Sequence, residues 1–150
     1  MNQALALASH AAELGEVPVG ALVVLNGEVI GQGYNQPIAS HDPSAHAEIM
    51  ALRDAAKRVG NYRLPGADLY VTLEPCMMCA GAIVHARINR VIFGAHEPKA
   101  GAIVSRQQCF SLSHINHRPE VTAGVMAEQC AQQLSDFFKT RRLAKRLNNL

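Results

Sequence analysis

The chain has 150 residues, 49% of them hydrophobic and 17% charged, with a formal net charge of +2 and a pI near 8.4. That is one domain's length with ample apolar content, which excludes a disordered chain, a collagen-like or repeat array and a disulfide-stapled miniprotein. No apolar run approaches the ~20 residues of a membrane span, and Met1-Asn2-Gln3-Ala4-Leu5-Ala6-Leu7 lacks the basic start of a secretory signal, so a single cytoplasmic domain over residues 1–150 is expected.

Residues 3–14 place Ala4, Leu5, Ala8, Ala11 and Ala12 at helical spacing, and Gly15-Glu16-Val17-Pro18 ends that helix. Residues 20–25 and 28–34 are rich in β-formers and flank Asn26-Gly27, a strong hairpin signal. Asp42-Pro43 offers an N-cap and a first-turn proline for a helix to about Val59, closed by Gly60-Asn61. Leu69 to Leu73 reads as a strand, Pro75 as the start of a helix to about Arg87, and Arg90 to Gly94 as the next strand. Residues 95–119 read as irregular with room for a short helix, Glu120 to Val125 as a weak last strand, and Ala127 to about Leu147 as a long terminal helix. Strand–helix–strand order predicts neighbouring parallel strands joined by right-handed crossovers. With one antiparallel hairpin, the expected fold is α/β: three layers, α/β/α, around a central mixed sheet of five strands.

Four cysteines allow three disulfide pairings. Cys76-Met77-Met78-Cys79 argues otherwise, because a C-x-x-C in a cytosolic chain is more often a metal or redox pair. Cys109 and Cys130 have no neighbour at ligand spacing and read as buried or incidental thiols. Cys76 and Cys79 share a helix face near a positive helix end, which favours thiolates. His46-Ala47-Glu48 opens the preceding helix. In alternating β/α order both helices start at the same edge of the sheet, which brings His46 beside the cysteines. Three such ligands leave a fourth position for water, as catalytic zinc does and structural zinc does not, with Glu48 as proton shuttle. Residues two apart on a regular helix lie about 200° apart, so His46 and Glu48 serve one metal only if it sits off the helix end. A pocket at two helix N-termini is therefore expected. A structural zinc closed by His41, His85 or His96 and a thioredoxin-like redox pair are the plainer rivals.

Lys139, Arg141, Arg142, Lys145 and Arg146 put five of fourteen cations into eight residues. They suit either a solvated face near the negative end of a helix or a patch that tracks phosphates, with Arg141 and Arg142 as candidates for RNA contact.

H-A-E together with E-P-C-x-x-C resembles the zinc-dependent cytidine and nucleobase deaminases, and among them the bacterial tRNA-specific adenosine deaminases. The likeness covers nearly the whole chain, through Glu16–Ala21, Gly33-Tyr34-Asn35, His41–Ile49, Asn61–Leu64, Leu69–Cys76, Cys79–Ala82, Asn116-His117-Arg118 and Leu134–Phe138. The resemblance implies a cytidine-deaminase-like fold with one Zn2+ per subunit on His46, Cys76 and Cys79. It implies hydrolysis of the wobble adenosine of a tRNA anticodon loop to inosine, hydroxide on the zinc attacking C6 while Glu48 moves the protons. It implies that Asn35 and Ala47 bind the nucleoside, that Val17 and Pro18 wall the base, and that Glu97 and Phe138 lie near the substrate. Lys99 and Arg118 are its further RNA-contact candidates. The family is homodimeric, with no membrane and no other protein required.

Some of these residues also have plainer roles. Asn35 suits a turn that closes its strand, and Val17-Pro18 suits ordinary packing. Of the neighbours Phe137 and Phe138, one is expected in the core and one toward RNA. Glu97 stands where the family usually has Asp, and its carboxylate reaches one methylene further. Two other functions stay open: deamination of a free base or nucleotide such as cytosine or guanine, and a non-catalytic RNA-binding module with structural zinc. Glu48 argues against the second, which has no use for an acid there.

Overall fold

Asn26 and Gly27 both take positive φ, 51° and 79°, the conformation of a two-residue type I′ turn. The hairpin expected there is present: β1 (Gly20–Leu25) pairs antiparallel with β2 (Glu28–Tyr34), with one irregularity at Val23/Val24. The computed structural model describes residues 1–150.

β1 also pairs antiparallel with β3 (Asp68–Leu73), while β4 (Arg90–Ala95) and β5 (Glu120–Thr122) extend the sheet in parallel beyond it. The strand order is β2-β1-β3-β4-β5. This corrects the expectation of adjacent parallel strands for the first crossover: β2 and β3 run the same way, but β1 lies between them. The register explains why. Ala21 stands opposite Val71 and Val23 opposite Leu69, so inserting β1 stacks four fully buried apolar side chains on one face. The second crossover behaves as expected, with β3 and β4 adjacent and parallel.

Helix α1 (Asn2–Glu13) lies on one face of the sheet. A single turn, α2 (Pro37–Ser40), precedes α3 (Ala47–Val59), and α3 and α4 (Met77–His85) cover the other face. Helix α5 (Ala127–Asn148) returns to the α1 face and completes the three layers. Under α3 and α4 the core joins Ala47, Ala51, Ala55, Ala80 and Ile83 to Val23, Leu69, Val71, Val91 and Phe93. A Cβ at Gly33 would stand 2.5 Å from the Ala47 carbonyl oxygen. The start of α3 therefore rests on bare strand backbone, which fixes its height above the sheet.

Several boundaries differ from expectation. α3 starts at Ala47 rather than Asp42, because Asp42 Oδ1 accepts both the N–H (2.8 Å) and the hydroxyl (2.7 Å) of Ser44 and closes an Asx turn instead. The one local signal for α2 is Pro37 at its first position; the buried Glu16 carboxylate accepts the N–H groups of Ile38 and Ala39 at 3.1 and 3.0 Å and caps it. α4 is trimmed at both ends, starting after Cys76 and stopping before Arg87, which adopts φ 61°. β5 ends at Thr122, short of Val125. Residues 95–119 hold one 3-10 turn, Cys109–Ser111.

The expectation for Phe137 and Phe138 is also corrected. Phe137 is only half-buried and Phe138 is 41% exposed, and the one buried residue of α5 is Cys130. The helix meets the sheet through its first turns, and residues 139–150 are exposed throughout. No helix is long and apolar enough to cross a membrane.

Candidate metal centre

β2 and β3 run in the same direction, so the helices that follow them begin at one edge of the sheet, where open α/β sheets place their sites. His46 (φ −73°, ψ 154°) is the N-cap of α3 and Cys76 (φ −79°, ψ 176°) the N-cap of α4. Both are extended, just outside their helices. The 200° separation of a regular helix therefore does not apply to His46 and Glu48: only Glu48 is helical, and the histidine approaches from the chain ahead of it. Cys79 lies in the first turn of α4, fully buried.

His46 Nδ1 lies 3.6 Å from the sulfur of Cys76 and 3.6 Å from that of Cys79. The three ligand atoms all fall within 4.8 Å of one another, a group able to hold one metal ion, and no fourth His, Cys, Asp or Glu joins it. His41, His85 and His96 thus stay outside. The proximity of Cys79 and His46 lowers the pKa of Cys76, while the same pairing of the two thiols and burial raise that of Cys79. The bond to Cys76 raises His46. Glu48, 4% exposed, is pushed up by burial and by the neighbouring Cys76 charge.

Asn35 Oδ1 accepts the Ala47 N–H at 2.9 Å, and the Asn35 N–H donates to Val19 O at 3.1 Å. The side chain thus satisfies the first orphan donor of α3, and the backbone N–H ties the 17–19 segment to the centre. Pro18 is buried, Val17 half-buried and Ala47 fully buried.

Glu74, two residues before Cys76, has a role that its place in the motif does not disclose. Its buried carboxylate accepts the N–H groups of Ile103 (3.2 Å), Val104 (2.9 Å), Ser105 (2.9 Å) and Glu97 (3.1 Å), and the Ser105 hydroxyl. Burial alone would raise its pKa; these bonds outweigh it and hold the carboxyl at about 2. A Cβ at Gly101 would meet the Glu74 carboxyl carbon at 2.4 Å, so the loop folds around Glu74 only with glycine there. Glu16 plays the same part for α2. Both are acids set among apolar neighbours with no cation nearby in sequence, a pattern that signals backbone N–H partners.

The other expected residues are spread more widely. Glu97 Oε1 accepts the Lys99 N–H at 2.9 Å, so the longer acid closes its own loop. Lys99 stands on an open hollow of about 420 Å³ that also borders Cys76. Arg118 holds the carbonyls of Phe110 and Leu112; the structure uses it as a loop clamp. Phe138, Arg141 and Arg142 lie on the exposed half of α5, in the opposite layer from α3 and α4, with the Arg141 guanidinium 5.5 Å from the Phe137 ring centroid. They are not among the residues that meet at the centre.

Residues 1–142 match the family model of the MafB19-like deaminases. The chain is 55% identical over 148 residues to the tRNA-specific adenosine deaminase of Haemophilus influenzae, covering 98% of this chain and 86% of that one. A solved structure from studies of A-to-I editing by tRNA:A34 deaminases superposes with a TM-score of 0.87 at 47% identity, over 89% of this chain and 96% of that one. A guanine deaminase from Bacillus subtilis is similar too, at 32% identity and a TM-score of 0.62, over 94% and 90%.

Proposed function

This chain belongs to the tRNA-specific adenosine deaminases, within the MafB19-like deaminase family, and from that premise we propose that it hydrolyses the wobble adenosine of a tRNA anticodon loop to inosine and ammonia. The observation that carries the proposal is a three-ligand centre that no fourth protein ligand joins, with the buried acid Glu48 beside it. A tetrahedral zinc with bonds of about 2.3 Å to sulfur and about 2.05 Å to nitrogen keeps those atoms about 3.6 Å apart. His46 Nδ1 stands 3.6 Å from each sulfur. We assign one Zn2+ per subunit to His46, Cys76 and Cys79. Bound there, zinc supplies a hydroxide nucleophile at neutral pH.

The chain's own groups do the rest. Glu48 takes a proton from the water and delivers it to the ring nitrogen beside C6, then takes the proton of the new C6 hydroxyl and hands it to the departing amine; water enters and ammonia leaves. Burial raises its pKa above the usual carboxylate value, which eases its taking up a proton. Asn35 spends its oxygen on Ala47 and has its Nδ2 donors for the nucleoside. Val17, half-buried, supplies an apolar wall for a flat base, and the buried Pro18 and Ala47 hold that wall and the start of α3 in place from behind. Glu97 and Phe138 face the neighbouring nucleotides, while Lys99, Arg141 and Arg142 meet phosphates; Arg118 supports the RNA side through the loop it clamps. Anticodon loop bases are partly unstacked, so presenting one to the pocket costs less than opening a duplex.

The enzyme is a homodimer in this proposal. Met77 is 67% and Met78 37% exposed on α4, beside a hollow of about 520 Å³ lined by Val84, Leu112 and Ile115, an apolar face that a second copy would cover. Its substrate puts it in the cytoplasm.

The likeness to a guanine deaminase keeps a free purine as the second reading. Inosine formation on an anticodon stem-loop with a wobble adenosine, for wild type and Glu48→Ala, in competition with free adenosine, cytidine and guanine, separates the two. Inosine in the loop alone, dependent on Glu48, is the expected result. Turnover of a free base with an intact loop would move the function to nucleotide salvage.

A further inference from the structure

The loop from Glu97 to Cys109 is fastened to the metal centre by groups that do no chemistry. Gly101 O accepts the N–H groups of Arg106 (2.9 Å) and Gln107 (3.1 Å), the Ala102 N–H donates to Pro75 O (2.9 Å), and the Cys109 N–H to Ala102 O (2.9 Å). The Glu74 carboxylate gathers Ile103, Val104 and Ser105 between them. The backbone of Arg106 is thereby held in register with the residue that precedes Cys76.

Arg106 faces the same hollow as Lys99, about 420 Å³, whose other walls are Cys76, Met77, Ala100 and Gln107. Both cations are exposed. Neither joins an ion pair, whereas Arg53 and Arg90 have carboxylates and Arg118 has two carbonyls. The acid nearest in sequence, Glu97, is turned to the Lys99 N–H. The hollow beside a metal ligand thus presents two uncompensated positive charges on a fixed loop, one of them a planar guanidinium with all its donors unspent. That is the donor geometry that grips two phosphate oxygens at once.

We propose that Arg106, assisted by Lys99, forms a phosphate-binding subsite for the backbone phosphate adjoining the reacting nucleoside. Arg106 is a positioning residue. It holds the strand so that the base meets Glu48 and the metal, and it favours a nucleotide within a strand over a free nucleoside or base, which has no such phosphate. The proposal rests on the RNA deaminase function above.

The test measures kcat and KM for inosine formation on an anticodon stem-loop across a series of salt concentrations, for wild type, Arg106→Gln and Arg106→Lys, with zinc content checked for each. Arg106→Gln should raise KM by about tenfold, the size of one charge-assisted hydrogen-bonded pair, with the effect in KM rather than kcat. The slope of log KM against log salt should fall by about 0.7, the value for one single-strand phosphate. Arg106→Lys should recover part of the affinity, keeping the charge and losing the fork. Substrates with a neutral methylphosphonate on one or the other side of the target should penalise wild type at one position, and Arg106→Gln should suffer nothing further there. An unchanged KM and salt slope in Arg106→Gln, a defect confined to kcat, or penalties that multiply at both positions would overturn the subsite while leaving the deaminase function intact. A wild type that leaves the loop adenosine untouched would overturn both.

Discussion

Asn35 and Ala47 are twelve positions apart, yet the Asn35 side-chain oxygen accepts the Ala47 N–H at 2.9 Å. Under the proposed function one amide serves two ends: its oxygen starts α3 between His46 and the acid Glu48, and its nitrogen is left for the nucleoside. The roles separate by substitution. Asn35→Asp keeps the acceptor and removes the donor, so it should unfold in denaturant like wild type while turnover on the stem-loop falls steeply. Asn35→Ala removes both and should cost about 1 kcal/mol of stability besides. A fully active Asn35→Asp would remove the nucleoside contact.

Glu48 and Cys79 differ in what they leave behind. Glu48→Ala should retain about one zinc per chain by metal analysis while kcat drops by roughly 10²–10⁴, the range for general acid–base groups. Cys79→Ala should lose zinc and turnover together, with neither restored by added Zn2+. Turnover that survived in Glu48→Ala would assign the proton transfers elsewhere.

Glu74 makes the loop around the centre acid-sensitive. Its folded pKa, about 2, is below the usual carboxylate value, so its stabilising contribution is complete above pH ~4.5 and fades as pH falls toward 2. Urea unfolding over that range should show Glu74→Gln less stable than wild type at neutral pH, with the gap closing through the acid limb. A gap independent of pH would mean that the bonds do not depend on the charge.

The basic half of α5 separates two expectations by salt. If Arg141 and Arg142 meet phosphates, replacing both by Gln weakens stem-loop binding and lowers its salt slope by about 0.7 for each phosphate no longer neutralised, with kcat unaltered at saturating RNA. An identical slope returns them to the solvated face of a helix end.

Much of this protein was legible in short stretches of residues. Asn26-Gly27 demanded positive φ twice and so set the hairpin, and the alternation of β-rich and helical segments predicted three layers. H-A-E and P-C-x-x-C follow strands that run in one direction, so their side chains had to meet at one edge of the sheet. These conclusions needed only local backbone preference and the direction of the chain. Tertiary structure decided what local signals cannot carry. β1 came to lie between β2 and β3 because Ala21 and Val23 found buried partners in Val71 and Leu69, about fifty positions away. α3 began at Ala47 because Asp42 was taken by Ser44 and Asn35 reached across to the Ala47 N–H. Phe137 stayed out of the core because α5 buries only Cys130, in its first turn, and its second half is exposed. Glu74 and Glu16 became loop and helix anchors because burial left each carboxylate chiefly backbone N–H groups to bond, with the Ser105 hydroxyl added at Glu74, and which N–H groups those are depends on segments distant in sequence.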